Sequence, residues 1–257
     1  MHPPGIGSDV AVLIPARRAS TRLPEKLLLA EHGEALIVTA AKRAALAFGA
    51  DAVVVCADDA ELVAVVRAQG LRAEMTLPTH ASGTDRIAEI AAILNAEIIV
   101  NVQGDEPEME AAHIRLVAEL LQRHPWAGMA TLCVPGDAAT QANPNQVKVI
   151  LADGENADEG RALWFTRLPA VYDRDAGRAA IHCHRHLGIY AYRRQVLLDF
   201  AALPPAPLEA CEKLEQLRAL AAGIGIACAS VDHAAIGIDT RADYDAFLTQ
   251  RTRLSTP

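Results

Sequence analysis

The stretch Val10–Lys26 reads V-A-V-L-I-P-A-R-R-A-S-T-R-L-P-E-K. Its first part, Val10–Pro15, is short and apolar throughout, the pattern of a strand buried on both faces. Its second part turns polar at once and carries Arg17, Arg18, Arg22 and Lys26, opposed only by Glu25. A buried strand running into a basic loop points to an open α/β sheet, in which ligands bind at the carboxyl ends of the strands.

The same alternation continues outward from this segment. Helical spacing over Ala35–Phe48 closes at Gly49. Ala52–Cys56 reads as a second strand, followed by a helix over Ala60–Gln69 that Asp58 or Asp59 caps. Arg72–Thr76 makes a third strand, Thr84 to about Asn95 a helix, and Ile98–Val102 a fourth strand. Wholly apolar strands separated by helices predict a mostly parallel sheet covered on both faces. That topology brings the loops 16–26 and 103–107 to one edge of the sheet.

The second half is less regular. Strands are expected at Met129–Val134, Val147–Leu151, Ala162–Thr166 and Leu187–Tyr192, with a polar break at Asp153–Gly160. A helix over Leu208–Ala222, a strand over Ile224–Val231 and a closing helix from about Ala242 to Leu254 complete the reading. No internal repeat and no long linker interrupts the chain, so one α/β domain over 1–257, with a mixed sheet and an inserted subregion, is expected.

Composition narrows the function classes. The chain has 257 residues, 51% hydrophobic and 22% charged, which excludes collagen-like and largely disordered classes. A net charge of −8 is a poor footprint for a nucleic-acid partner. No apolar run approaches the roughly 18–20 residues of a membrane span, and the N-terminus lacks the pattern of a signal peptide. The five cysteines form no C-x-x-C pair, and several sit in apolar runs, so reduced buried thiols in a cytoplasmic protein are expected.

Three segments carry chemistry. The basic loop, with Ser20 and Thr21 adding hydroxyls, suits either phosphate oxygens or an ordinary solvated surface. No Walker-A pattern occurs and no G-x-G-x-x-G follows the first strand, which argues against those phosphate loops and against NAD. At Val100–Pro107, V-N-V-Q-G-D-E-P ends a buried strand with carboxylates. Asp105 first and Glu106 second could hold Mg²⁺, or G-D-E-P is a turn opening a helix. At Gly237–Thr240, G-I-D-T offers Asp239 as a second carboxylate ligand or as the N-cap of the last helix. The run His182, Cys183, His184 and His186 is too contiguous for the usual zinc spacing. His182 and His184 read as loop positions.

Taken together, these segments resemble a known family. L-I-P-A-R-x-x-S-T-R-L-P-x-K is similar to the opening motif of the sugar-acid cytidylyltransferases. Later segments resemble its 3-deoxy-manno-octulosonate (Kdo) branch, the CMP-Kdo synthetases. They are H-A-S-G-T-D-R-I-A-E (His80–Glu89), V-N-V-Q-G-D-E-P, N-P-N-Q-V-K-V-I (Asn143–Ile150) and A-L-W-F-T-R (Ala162–Arg167). R-H-L-G-I-Y-A-Y-R (Arg185–Arg193), L-E-x-x-E-K-L-E-Q-L-R-A-L (Leu208–Leu220) and G-I-D-T continue it, so the likeness spans about residues 9 to 249 in family order.

The resemblance implies a nucleotide-diphospho-sugar transferase-like, Rossmann-like three-layer fold with a mostly parallel mixed sheet. It divides the chain into a nucleotide part at about 9–135, a sugar-binding and dimerisation part at about 136–230, and a closing segment at 231–257. It further implies a homodimer that joins CMP from CTP to Kdo with Mg²⁺, for lipopolysaccharide assembly. By matching position, Arg17, Ser20, Arg22 and Lys26 correspond to triphosphate ligands, and Ser82, Gly83 and Arg86 to the nucleotide side. Asp105 and Asp239 correspond to the Mg²⁺ carboxylates. Gln103, Arg167, His186, Tyr190, Glu215 and Gln216 correspond to the sugar-acid pocket. The chain departs from the family's P-G-K-P-L, reading P-E-K-L-L: Glu25 stands in place of a Gly and puts a negative charge beside the expected triphosphate site.

Overall fold

The computed structural model describes residues 9–153, 158–170 and 184–255. The chain runs β1 (Val10–Ala16), α1 (Leu36–Phe48), β2 (Val53–Ala57), α2 (Ala60–Arg67), β3 (Arg72–Met75), α3 (Gly83–Ala91), β4 (Ile98–Asn101) and α4 (Ala111–Arg123). It continues with β5 (Met129–Pro135), α5 (Ala138–Ala142), β6 (Lys148–Asp153), β7 (Glu159–Thr166), β8 (His184–Arg193) and α6 (Arg194–Ala202). The last elements are α7 (Pro207–Glu212), α8 (Gln216–Ala221), β9 (Ile226–Ser230) and α9 (Arg241–Ser255). Two compact units form, one from residues 1–115 and 235–257, the other from residues 116–234.

In the first unit β1 is central. It pairs in parallel with β2 (Val12 opposite Val53) and with β4 (Val10 opposite Ile98), and β2 carries β3 on its other side. Val12, Leu13 and Ile14 are fully buried, each contributing about 1.5–3 kcal/mol. The chain steps outward from β1 to β3 and then returns to the opposite side of β1 at β4. Strand order therefore reverses between β1 and β4, and a crevice opens beyond their carboxyl ends. Close packing narrows it: a Cβ on Gly104 would stand 3.0 Å from Ile37 Cδ1 and one on Gly83 3.2 Å from Pro15 Cγ. Both loops thus abut the end of β1.

Caps fix where the helices start. Asp59 accepts the Glu61 N–H at the head of α2. Ser82 and Asp85 form a reciprocal capping box, so α3 begins at Gly83. At α9 Thr240 and Asp243 cap reciprocally: the Thr240 hydroxyl accepts the Asp243 N–H (3.2 Å), and the Asp243 carboxylate accepts the Thr240 N–H (2.8 Å) and the Asp239 N–H (3.1 Å). Tyr244 and Phe247 of α9 pack with Leu23, Leu36 and Ile238, tying the basic loop to the G-I-D-T turn.

The second unit holds a mixed sheet, and the chain is α/β as expected. β5 pairs in parallel with β9 and antiparallel with β8, and β7 lies antiparallel to β9 and β6. β6 also pairs with β8, which closes five strands into a ring. The β5–β8 register shifts at Thr131/Leu132. There the Thr131 hydroxyl lies 3.2 Å from the Leu187 carbonyl and 2.8 Å from that of Ile189. Three sequence expectations are corrected here. His184 belongs to strand β8, opposite Pro135 and Val149, rather than to a loop. The helix expected over Leu208–Ala222 is two helices, broken where Lys213 turns left-handed (φ 55°). The sequence reading passed over α4, α5 and α6. His182 and Cys183 lie outside the described residues.

Candidate functional site

Two loops and one turn of the first unit build a cavity of about 300 Å³ at the crevice beyond β1 and β4. Arg17, Ser20, Arg22, Lys26, Gln103, Asp105 and Asp239 line it. The G-I-D-T turn is held there by the Ile238 N–H, which donates to the Asp105 carbonyl at 2.9 Å. Because Thr240 and Asp243 cap α9, the Asp239 carboxylate is not engaged in capping and faces the cavity.

Lys26 is the centre of this arrangement. Only 8% exposed, it donates from Nζ to Asp105 Oδ2 at 2.6 Å and to Asp239 Oδ1 at 3.3 Å. Arg22 reaches the same Asp239 oxygen at 2.8 Å. Arg17 is exposed and, among the described residues, makes no hydrogen bond or ion pair. Glu106 stands just behind: burial pushes its carboxyl up to about 8, and the charges of Asp105 and Asp239 add to the shift. With Glu106 protonated, three cations face two carboxylates. That excess is too small to match a triphosphate, so such a ligand would arrive with a metal ion.

Arg18 does not belong to this set. The sequence counts it with the other basic residues, but its guanidinium pairs with Glu25 (2.7 Å), Asp59 (3.2 Å) and Glu61 (2.8 Å). Glu25 is therefore turned onto Arg18 and is absent from the cavity lining, contrary to the expectation of a negative charge beside the phosphate site. Its backbone sits at φ 52°, ψ 27°, the left-handed conformation that a glycine adopts without strain.

A second cavity of about 210 Å³ adjoins the first, lined by Arg17, His80, Ser82, Gly83, Arg86 and Gln103 among others. Gln103, expected in the sugar-acid pocket, lines both cavities of this unit. Arg86 is 2% exposed and already partnered: Nη2 lies 3.1 Å from Asp58 Oδ2, and Nη1 donates to the Thr76 hydroxyl at 2.5 Å. Its role in the structure is to hold the cavity wall, with Asp58 also accepting the Arg18 N–H at 2.9 Å. His80 pairs with Glu89, which also accepts the Leu77 N–H at 3.0 Å.

The remaining expected residues gather in the second unit. The His186 ring lies 5.3 Å from that of Tyr190 and edge-on to Phe165 at 5.1 Å, and its Nε2 is 3.0 Å from the Thr131 hydroxyl. Burial pushes His186 down to about 3, so the ring is neutral at pH 7. Burial pushes the Tyr190 phenol up, with Tyr192 and Glu215 adding, so it remains a hydrogen-bond donor. Glu215 and the buried Gln216 stand at the head of α8. Arg167 follows β7, and among the described residues no carboxylate pairs with its guanidinium. Sequence reasoning missed Glu212, Lys148 and Asp58. The first two lie inside the motifs L-E-x-x-E-K-L-E-Q and N-P-N-Q-V-K-V-I, which were the available signal.

Comparisons with known proteins accord with this geometry. The family model described as Cytidylyltransferase matches residues 11–226. The 3-deoxy-manno-octulosonate cytidylyltransferase of Thioalkalivibrio sulfidiphilus is 45% identical, over 91% of this chain and 95% of that protein. That of Rhodopirellula baltica is 43% identical, over 92% and 96%. A solved structure of CMP:2-keto-3-deoxy-manno-octonic acid synthetase complexed with CTP is similar with a TM-score of 0.89 and 37% identity. It covers 96% of this chain and 100% of its own.

Proposed function

The chain belongs to the cytidylyltransferase family, among the 3-deoxy-manno-octulosonate cytidylyltransferases, and on that premise we propose that it transfers CMP from CTP to the anomeric hydroxyl of Kdo, releasing pyrophosphate. The observation that carries this reading is the buried Lys26 amine between Asp105 and Asp239, in the crevice where strand order reverses. A cation that meets two carboxylates in a cavity lined by further arginines fits a nucleotide bound together with a divalent metal. Mg²⁺ suits the donor set: two aspartates directed at one point, their side chains 32% and 43% exposed, with space for water and phosphate oxygens. When bound, Mg²⁺ supplies charge neutralisation at the phosphates and lowers the pKa of a coordinated hydroxyl.

The chain's own residues supply the rest. Arg17, Arg22 and Lys26 donate to phosphate oxygens, with Ser20 beside them. Ser82 and Gly83 border the adjoining cavity for the nucleoside, and Arg86 supports its wall. Arg167 offers its guanidinium to the sugar carboxylate. In the second unit the neutral ring of His186, with Tyr190, Glu215 and Gln216, supplies donors and acceptors for hydroxyls, while Gln103 lines the cavities of the first unit. Catalysis then rests on positioning and charge stabilisation as the sugar oxygen attacks the α-phosphorus and pyrophosphate leaves.

The fold is read at the finer level as nucleotide-diphospho-sugar transferase-like, Rossmann-like and three-layered, supported by the TM-score of 0.89. The resemblance supports a homodimer acting on small molecules, without nucleic acid or membrane insertion, and the buried free thiols of Cys56, Cys133 and Cys228 support a cytoplasmic location. No helix among the described residues is long and apolar enough to cross a membrane. The test is pyrophosphate release from CTP and Mg²⁺ with a panel of Kdo, 8-amino-Kdo and sialic acid. Turnover with Kdo is expected. Turnover with sialic acid alone, or CTP binding without any release, overturns the reading.

A further inference from the structure

Arg167 is gripped at four polar groups at once. Its main-chain N–H donates to the Glu212 carboxylate at 2.7 Å, and its carbonyl accepts from Lys148 Nζ. In the side chain, Nε donates to the Glu212 carbonyl at 2.7 Å and Nη1 to the Pro144 carbonyl at 3.1 Å. The guanidinium is thus oriented by neutral carbonyls, and no carboxylate among the described residues forms an ion pair with it. An arginine so held keeps its attraction for an anionic ligand and has little rotamer freedom left to lose on binding.

Lys148 makes the grip a joint between two segments. Its side chain is fully buried, and Nζ also donates to the carbonyls of Asn143 (3.0 Å) and Gln146 (2.9 Å). The turn that carries Pro144 is therefore tied to the residue that Pro144 orients. Glu212 performs the matching task from α7, since its carboxylate takes the Thr166 hydroxyl at 2.8 Å beside the Arg167 N–H. Burying an ammonium is costly. A lysine in this place is explained by the carbonyls it gathers, because an apolar side chain would fill the space without joining the segments.

We propose that Lys148 and Glu212 are positioning residues that present Arg167 to the carboxylate of the sugar acid. The inference rests on the functional reading above. The test uses the full chain with Lys148→Met, Lys148→Arg and Glu212→Gln, measuring pyrophosphate release while CTP and the acid sugar are varied in turn. Lys148→Met is expected to raise the KM for the sugar about tenfold or more and to leave the KM for CTP within about twofold. Lys148→Arg, which can still donate to the Arg167 carbonyl, is expected to recover part of the loss. If Lys148→Met does not fold, Glu212→Gln reads the same split, since it keeps the volume and loses an acceptor. An unchanged sugar KM, or equal rises in both KM values, overturns the inference while wild-type turnover keeps the functional reading. A wild type inert with every acid sugar sinks both.

Discussion

The cavity of the first unit and the surroundings of Arg167 in the second both offer positive charge, but they hold it differently. Around Lys26 the cations are interleaved with carboxylates: Lys26 with Asp105 and Asp239, Arg22 with Asp239. Around Arg167 the guanidinium is fixed by carbonyls, and no described carboxylate pairs with it directly. The first arrangement suits an anion that arrives with a metal ion, because the carboxylates serve the metal and the cations serve the anion. The second suits a bare carboxylate. A nucleotide with Mg²⁺ and an acidic sugar are ligands of those two kinds.

The largest expected effect comes from breaking the first arrangement. Lys26→Met should lower kcat about 10²–10³-fold, because it removes a preorganised donor to the phosphates. Steady-state kinetics checks it, and a loss of less than tenfold would show that Lys26 serves only as a structural counter-ion. Breaking the second should act on one substrate alone. Arg167→Met should raise the KM for the sugar acid by about 10–100-fold, equivalent to a lost charged hydrogen bond, and leave the KM for CTP unchanged.

Smaller effects sharpen the comparison. Glu25→Gly removes a side chain from a left-handed backbone position and takes away one of the three carboxylates that hold Arg18. Relief of roughly 1 kcal/mol of strain then opposes the loss of an exposed, solvent-screened ion pair. Activity should persist, with the KM for CTP equal to or below that of the wild type. A sharp fall in kcat would show that Arg18 must be held by Glu25 for turnover. Least of all should pH act through His186. Its pKa is depressed to about 3, so the ring is neutral from pH 5 to 8 and the KM for the sugar should not titrate near 6.5. A titration there that disappears in His186→Asn would contradict the burial of the ring.

Much of the first unit was legible in the sequence, because its determinants are local. The apolar runs of β1 and β4 and the residues that follow them fix the switch-point crevice, and Asp105 is placed by its position after β4. Asp239 was ambiguous between ligand and cap, and the ambiguity lifts only when Thr240 and Asp243 are seen to cap α9. The periodicity of Ile114, Val117, Ala118 and Leu121 in α4 was readable, and all four are buried. Arg18 was misassigned because its partners Asp59 and Glu61 come from the next strand–helix junction, about forty residues on. The Lys148–Arg167–Glu212 grip was unreadable for a similar reason. It depends on β6 and β7 pairing so that Lys148 faces Thr166, and on the break at Lys213 that ends α7.

The account turns on whether Asp105 and Asp239 hold a metal for the nucleotide. The Mg²⁺ dependence of Kdo-dependent pyrophosphate release in the wild type and in Asp105→Asn tests this most directly. Turnover should vanish when Mg²⁺ is chelated, and Asp105→Asn should need about tenfold or more Mg²⁺ for half-maximal rate or lose activity altogether. Wild-type turnover that survives chelation, or an Asp105→Asn enzyme with an unshifted Mg²⁺ curve, would contradict it.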